Sequence, residues 1–190
     1  MQGTWLARRK RLNKWIIFAI SIAILCLSVL FDQLTKIWFE RLYIKNGTTT
    51  VIDGFFYFTL TKNSGAGWGI FSDVSWGQLF FKILTPIALL LFILVFVWAF
   101  RKSYKVMQFG IALSIGGTIG NYIDRLRFEQ VTDFISFVFG DFHFPVFNLA
   151  DICLTVGVFM IIIHLLFLDD NAVFRKSKKC EDLEGNNDAN

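Results

Sequence analysis

The chain has 190 residues, of which 55% are hydrophobic and only 18% charged. A mean hydropathy of +0.54 excludes a disordered chain and argues against an ordinary soluble domain. The formal charge of +4 is gathered in clusters that abut apolar spans, so a nucleic-acid partner is not expected.

Four apolar segments follow one another, at about 16–31, 79–100, 106–123 and 150–168. A hydrocarbon core of about 30 Å takes about 20 helical residues, so each is long enough to span, the first and third barely. Arg8, Arg9, Lys10, Arg11 and Lys14 precede the first segment, Arg101, Lys102 and Lys105 follow the second, and Arg175, Lys176, Lys178 and Lys179 follow the last. Basic residues stay on the cytoplasmic side. The expected class is therefore an all-α membrane protein with four transmembrane helices and both termini cytoplasmic. Residues 1–14 form a basic N-terminus, 15–168 the membrane domain and 169–190 a polar tail. A basic start and an apolar stretch also describe a signal peptide, but bulky Leu25 before Cys26 and the lack of a small-residue cleavage site favour a retained helix.

The connection at about 40–78 differs in composition. Val51 to Thr61 is aromatic and β-branched and reads as strand, and Asn63 to Gly69 reads as a glycine-rich loop. A small extracytoplasmic β-sheet on the membrane surface is expected there. Cys26, Cys153 and Cys180 have neither metal-ligand nor disulfide spacing, and the first two read as small packing residues.

The polar residues of the apolar chain gather at the outer ends of these segments. Asp32 and Lys36 lie one helical turn apart and can pair. Gly117, Asn121 and Asp124 share a face of the third segment, and Gly116 and Gly120 have the small-xxx-small spacing of closely packed helices. Asn121, Asp124 and Arg125 read as scaffold, with Arg125 placed to meet Asp124, Asp133 or a lipid phosphate. Asn148 can cap the fourth segment and puts Asp151 in its first turn. Carboxylates at a lipid edge are costly and mark function. Two of them brought close split their titrations, so one keeps a proton while the other activates water, with no metal or cofactor. Asp151 at a helix start suits the base and Asp133 the acid, although the residues alone leave Asp124 open as an alternative to Asp133. Asp53, Asp73 and Asp141 stand in loops without companions. His164, 13 residues beyond Asp151, lies about 20 Å down the helix, and His143 reads as a solvated or packed side chain.

These motifs resemble those of lipoprotein signal peptidase, or signal peptidase II. Asp32-Gln33-x-Thr35-Lys36, Asn63-Ser64-Gly65-Ala66, Gly116-Gly117 through Asp124-Arg125, Val131-x-Asp133-Phe134 and Phe147-Asn148-x-Ala150-Asp151 come in the family's order over about 25–165. The resemblance implies a membrane aspartic peptidase with Asp133 and Asp151 as catalytic dyad. Asp32, Lys36, Asn63, Gly65, Asn121, Asp124, Arg125, Asn148 and Ala150 would support the dyad or the substrate. It also implies hydrolysis of diacylglyceryl-modified prolipoproteins on the amino side of the lipidated cysteine. The enzyme would sit in the bacterial inner membrane, with its site at the extracytoplasmic face, no cofactor or metal, and lipid as its surroundings. A monomer is expected. Gly67-Trp68, Glu129 and Thr132 depart from the family's usual residues and bear on substrate preference. The rival readings are a small transporter or proton relay using the same acids, which would need polar groups deep in the spans, and an assembly scaffold indifferent to either aspartate.

Overall fold

The computed structural model describes residues 2–65 and 77–169, leaving aside the side chains of residues 2–11 and Gln78. Gly67, Trp68, Asp73, the arginines before Leu12 as side chains, and the tail with Cys180 thus lie outside the described residues. The elements run α1 (Gln2–Asn46), β1 (Thr49–Ile52), β2 (Phe56–Asn63), α2 (Gly77–Lys102), α3 (Lys105–Phe128), β3 (Val131–Phe139), β4 (Phe142–His143) and α4 (Leu149–Ile163), with a π-helical turn at His164–Leu168.

Among the described residues, three helical stretches are long and apolar enough to cross a membrane: Leu12–Asn46, Leu79–Lys102 and Leu149–Leu168. α1 is much longer than the expected 16–31. Its 35 residues from Leu12 reach about 52 Å, well beyond a 30 Å core, so one end projects past any bilayer it crosses. Its faces are inverted relative to a soluble helix. Ser21, Ser28, Asp32, Lys36 and Phe39 form the buried stripe, while Leu27, Leu30, Phe31, Leu34, Ile37 and Trp38 point outward.

α3, at 24 residues, is close in length to α2 but carries Gln108, Ser114, Thr118, Asn121 and Asp124, and it is not among the three apolar helices. The reason is its place. It packs against α1, α2 and α4 and supplies much of the buried interior, so its side chains meet protein on several sides. Its serine and threonine hydroxyls are satisfied within the helix, as Ser114 donates to Gly110 O and Thr118 to Ser114 O. An apolar core of Phe96, Ala99, Met107, Ile111 and Ile115 sits around the α2–α3 turn.

The sheet is larger than expected and partly drawn from elsewhere. The run from Val51 to Thr61 is a hairpin rather than one strand, because Gly54 at φ +71° turns the chain. The strand β3, which was not foreseen, comes from the connection between α3 and α4 and completes an antiparallel sheet ordered β1-β2-β3-β4. Its register sets Thr61 opposite Asp133 and Asn63 opposite Val131, which puts Asn63 diagonal to Asp133. The Phe39 ring, stacked on Phe134 and tilted against Phe58, fixes the sheet to the C-terminal part of α1.

Glycines set the helix spacing. A methyl on Gly117 would collide with Ala150 O and stand 2.9 Å from Leu154 N; one on Gly120 would stand 2.5 Å from Asp32 Oδ2. The Gly116–Gly120 pair expected to permit close approach faces α1, and Gly117 between them faces α4. Gly117→Ala is expected to lower stability by about 1–3 kcal/mol, the usual cost of overpacking, read as a lower thermal midpoint of the detergent-solubilised protein. An unmoved midpoint would mean that α3 and α4 have room for a methyl group.

Candidate active site

Four elements converge where α1, α3, β3 and α4 meet. The start of α4 needs partners for its free amide groups. Asn148 Oδ1 accepts from Asp151 N at 3.0 Å, and Asp151 Oδ2 accepts from Asn148 N at 3.0 Å, a reciprocal capping box. The next amide, Ala150 N, donates to Asp32 Oδ1 of α1 at 3.0 Å. Asn148 is thus both the cap and a member of the site. Ala150 contributes its amide and its small size, being fully buried against α3.

Below this lies a buried ammonium. Lys36 Nζ is 2.9 Å from Asp32 Oδ2, 3.3 Å from Asp124 Oδ2 and 2.9 Å from Asn121 Oδ1. Those three oxygens match its three N–H groups, so the expected Asp32–Lys36 pair is a buried one that also engages Asp124 and Asn121. Asp124 Oδ2 also accepts from Thr132 N at 3.0 Å, which fastens the first residues of β3 to α3. Gln33, absent from the expected site, joins the cluster by donating to Asp32 Oδ2, Gly120 O and Asp124 Oδ1, each at 3.2 Å. Its place between Asp32 and Lys36 in sequence was the signal available.

The cluster orients two carboxamides without ambiguity. Lys36 can only donate, so Asn121 turns its oxygen to Lys36 and its amide to Asp151 Oδ1, at 2.8 Å. Asn148 accepts from Asp151 N, so its Nδ2 faces Asn121 Oδ1 at 3.0 Å and Asp133 Oδ1 at 2.6 Å. Asn63 Nδ2 donates to the other oxygen, Asp133 Oδ2, at 3.0 Å. Asp133 and Asp151 therefore come together on a frame of three asparagines. Burial first, and the negative Asp151 second, push the Asp133 carboxyl up to about 7.

Both carboxylates line a cavity of about 480 Å³ whose other walls include Phe144, Pro145, Phe147, Ile152 and Val156. Arg125 and Gly65 also line it, and Arg125 Nη2 donates to Gly65 O at 3.2 Å. Arg125 makes no ion pair with Asp124 or Asp133 among the described residues; its guanidinium stacks on Phe81 at 4.8 Å. Among those residues no group of histidine, cysteine and acidic side chains is arranged to hold a metal. His164 is buried against Tyr104 at the far end of the bundle, and His143 is exposed on β4.

A family model described as signal peptidase II matches residues 6–167. Lipoprotein signal peptidase of Bacillus pumilus is 39% identical over 149 residues, covering 78% of this chain and 91% of that protein. Those of Listeria welshimeri and Coxiella burnetii are 36% and 35% identical, covering 85% and 84% of this chain and 96% and 93% of theirs. A solved structure described as a bacterial membrane enzyme superposes with a TM-score of 0.62 at 37% identity, covering 78% of this chain and 88% of its own. None of these relatives is named as a transporter, and the relay reading draws no support from them. With its two acids framed on one cavity and its match running nearly from end to end, the chain belongs to the signal peptidase II family of aspartic-type peptidases.

Proposed function

We propose that the protein removes signal peptides from diacylglyceryl-modified prolipoproteins by hydrolysing the peptide bond on the amino side of the lipidated cysteine, with Asp133 and Asp151 as the dyad. The observation that carries this reading is Asn148, which donates to both carboxylates where they line one largely apolar-walled cavity. Asp151 is the base. It sits in the first turn of α4, where its two oxygens accept from Asn148 N and Asn121 Nδ2. Asp133, raised to about 7, is the acid. As water attacks the scissile carbonyl, its proton passes to Asp151, and the proton of Asp133 goes to the departing amine. The proton then returns to Asp133 for the next cycle. Asn63, Asn121 and Asn148 hold the two carboxyls, and Lys36, Asp32 and Asp124 hold the asparagines and the elements that bear them. The aromatic and aliphatic walls suit an apolar signal helix and its lipid.

In this reading α3 crosses the bilayer as a fourth helix, tolerated there because its polar face meets α1 and α4 rather than lipid. The membrane domain comprises residues 15–168 and acts as a monomer in the inner membrane. The basic N-terminus and polar tail lie on the cytoplasmic side, and the dyad and sheet lie at the extracytoplasmic face. Lys14, whose ammonium bonds to Arg101 O beside the Phe100 ring, supports placing the N-terminus and the α2–α3 turn on one side.

The test is a gel-shift assay of purified protein on a diacylglyceryl-modified prolipoprotein. Asp133→Asn and Asp151→Asn are each expected to slow cleavage by about 10²–10⁴-fold while leaving the thermal midpoint measurable, the range for loss of a general acid or base. Normal cleavage by either variant would remove that residue from the dyad. The pH dependence has a definite sign. The active form carries a proton on Asp133, so kcat/KM should fall as pH rises through about 7. The Asn63 hydrogen bond favours the ionised form of Asp133. Asn63→Ala should therefore move that alkaline limb to higher pH, and a shift to lower pH would contradict the assignment of Asp133 as the acid.

A further inference from the structure

Glu129 ends α3 in a conformation that glycine adopts more easily, with φ 60° and ψ 8°. Its backbone amide closes the helix on Arg125 O, which a glycine would do as well. What glycine would not supply is the side chain, whose Oε1 lies 2.8 Å from Lys82 Nζ in the first turns of α2. That ammonium holds the Glu129 carboxyl below its ordinary range. A second contact ties the same turn to α3. Pro86 has no amide hydrogen and leaves the carbonyl of Lys82 without its helical donor. Tyr122 Oη of α3 donates to that carbonyl at 3.3 Å.

The residue beside this junction is Phe81, on which the Arg125 guanidinium stacks at 4.8 Å. The Arg125 Nε is buried without a hydrogen-bond partner among the described residues. The guanidinium is therefore held by the Phe81 ring and by the Gly65 carbonyl, and both Arg125 and Gly65 line the dyad cavity. Lys82 is the chain neighbour of Phe81, so the Glu129 carboxylate is tied through the α2 backbone to the ring on which Arg125 stacks at the cavity wall.

We infer that the Lys82–Glu129 ion pair makes both residues positioning residues for substrate binding, setting where Arg125 and Gly65 stand at the cavity wall. Neither side chain lines the cavity, so the pair acts on affinity rather than on the chemical step. It is a partly exposed pair, with the side chains 29% and 70% accessible. Its effect is accordingly small and sensitive to salt. The inference rests on the cavity being the peptidase site.

The experiment measures kcat and KM of the full chain in detergent on a diacylglyceryl-modified prolipoprotein, for wild type, Glu129→Gln, Glu129→Gly, Lys82→Gln and the exchange Lys82→Glu with Glu129→Lys. The three single variants are expected to raise KM roughly two- to five-fold, the span of an exposed ion pair, with kcat unchanged. The exchange should bring KM back toward wild type, and the difference between wild type and Glu129→Gln should shrink at about 1 M salt, where screening lengths fall to about 3 Å. Wild-type KM in the single variants overturns the inference, as does an exchange variant no better than the singles. A lower thermal midpoint with unchanged KM would make the pair structural only. An inert wild type overturns the peptidase reading itself and this inference with it.

Discussion

The ammonium of Lys36 is the constraint from which the rest of the site hangs. It is buried with Asp32 and Asp124 on either side, and besides Gln33 each carboxylate accepts from a backbone amide: Asp32 from Ala150 at the start of α4, Asp124 from Thr132 at the start of β3. Those two elements carry Asp151 and Asp133. Through Asn121 the same ammonium also fixes the donor that meets Asp151. Breaking a buried pair by removing one partner costs about 3–5 kcal/mol because a charge is left uncompensated. Here it would leave two carboxylates facing each other across the void. The cation thus links the strength of the scaffold to the geometry of the chemistry.

The helices around this cluster are built inside out. On α1 the polar residues form the buried stripe and the aliphatic ones the outer surface. The hydrophobic effect does not drive such helices together in lipid, so close packing and internal hydrogen bonds must hold them. Both are visible along α3. Its glycines admit Ser28, Asp32 and the backbone of α4 to near contact, and its hydroxyls return to their own helix. The close approach also brings the Asp32 carboxylate within reach of α4, so the packing motif and the polar cluster are parts of a single arrangement.

The two acids differ because their surroundings differ. Asp133 stands on a strand, deeply buried, with its two oxygens met by carboxamides and a neighbouring negative charge. Asp151 begins a helix, with its two oxygens met by the Asn148 backbone amide and the Asn121 carboxamide. In the proposed reaction these two side chains of one type take opposite parts, one on a buried strand and the other at the start of a helix. The mainly apolar remainder of the cavity keeps the local dielectric low, which sharpens that difference.

Some of this was legible in the order of the residues, and some was not. Runs of apolar residues placed the apolar helices, because lipid imposes a length and a composition that a chain displays directly. The capping role of Asn148 and the pairing of Asp32 with Lys36 also follow from local spacing, since a cap reaches three residues and a helical pair four. The glycine run in α3 announced close packing, though not that alternate glycines face different helices. The strand β3 was hidden because its aromatic and β-branched residues sit in a short connection, and strand pairing depends on a partner some 70 residues away. For the same reason the sequence left Asp124 and Asp133 as competitors for one part. In the folded chain Asp124 meets the Lys36 ammonium and the Thr132 amide, while Asp133 lines the cavity. Gln33 and the Glu129–Lys82 contact belong to the same class, since a side chain's partner across 40 or 90 residues is decided by packing and leaves no local pattern. Local spacing and the demands of lipid determined the helices, the cap and the candidate acids. Tertiary packing decided which acid each buried cation compensates, and so which carboxylates were left to face each other.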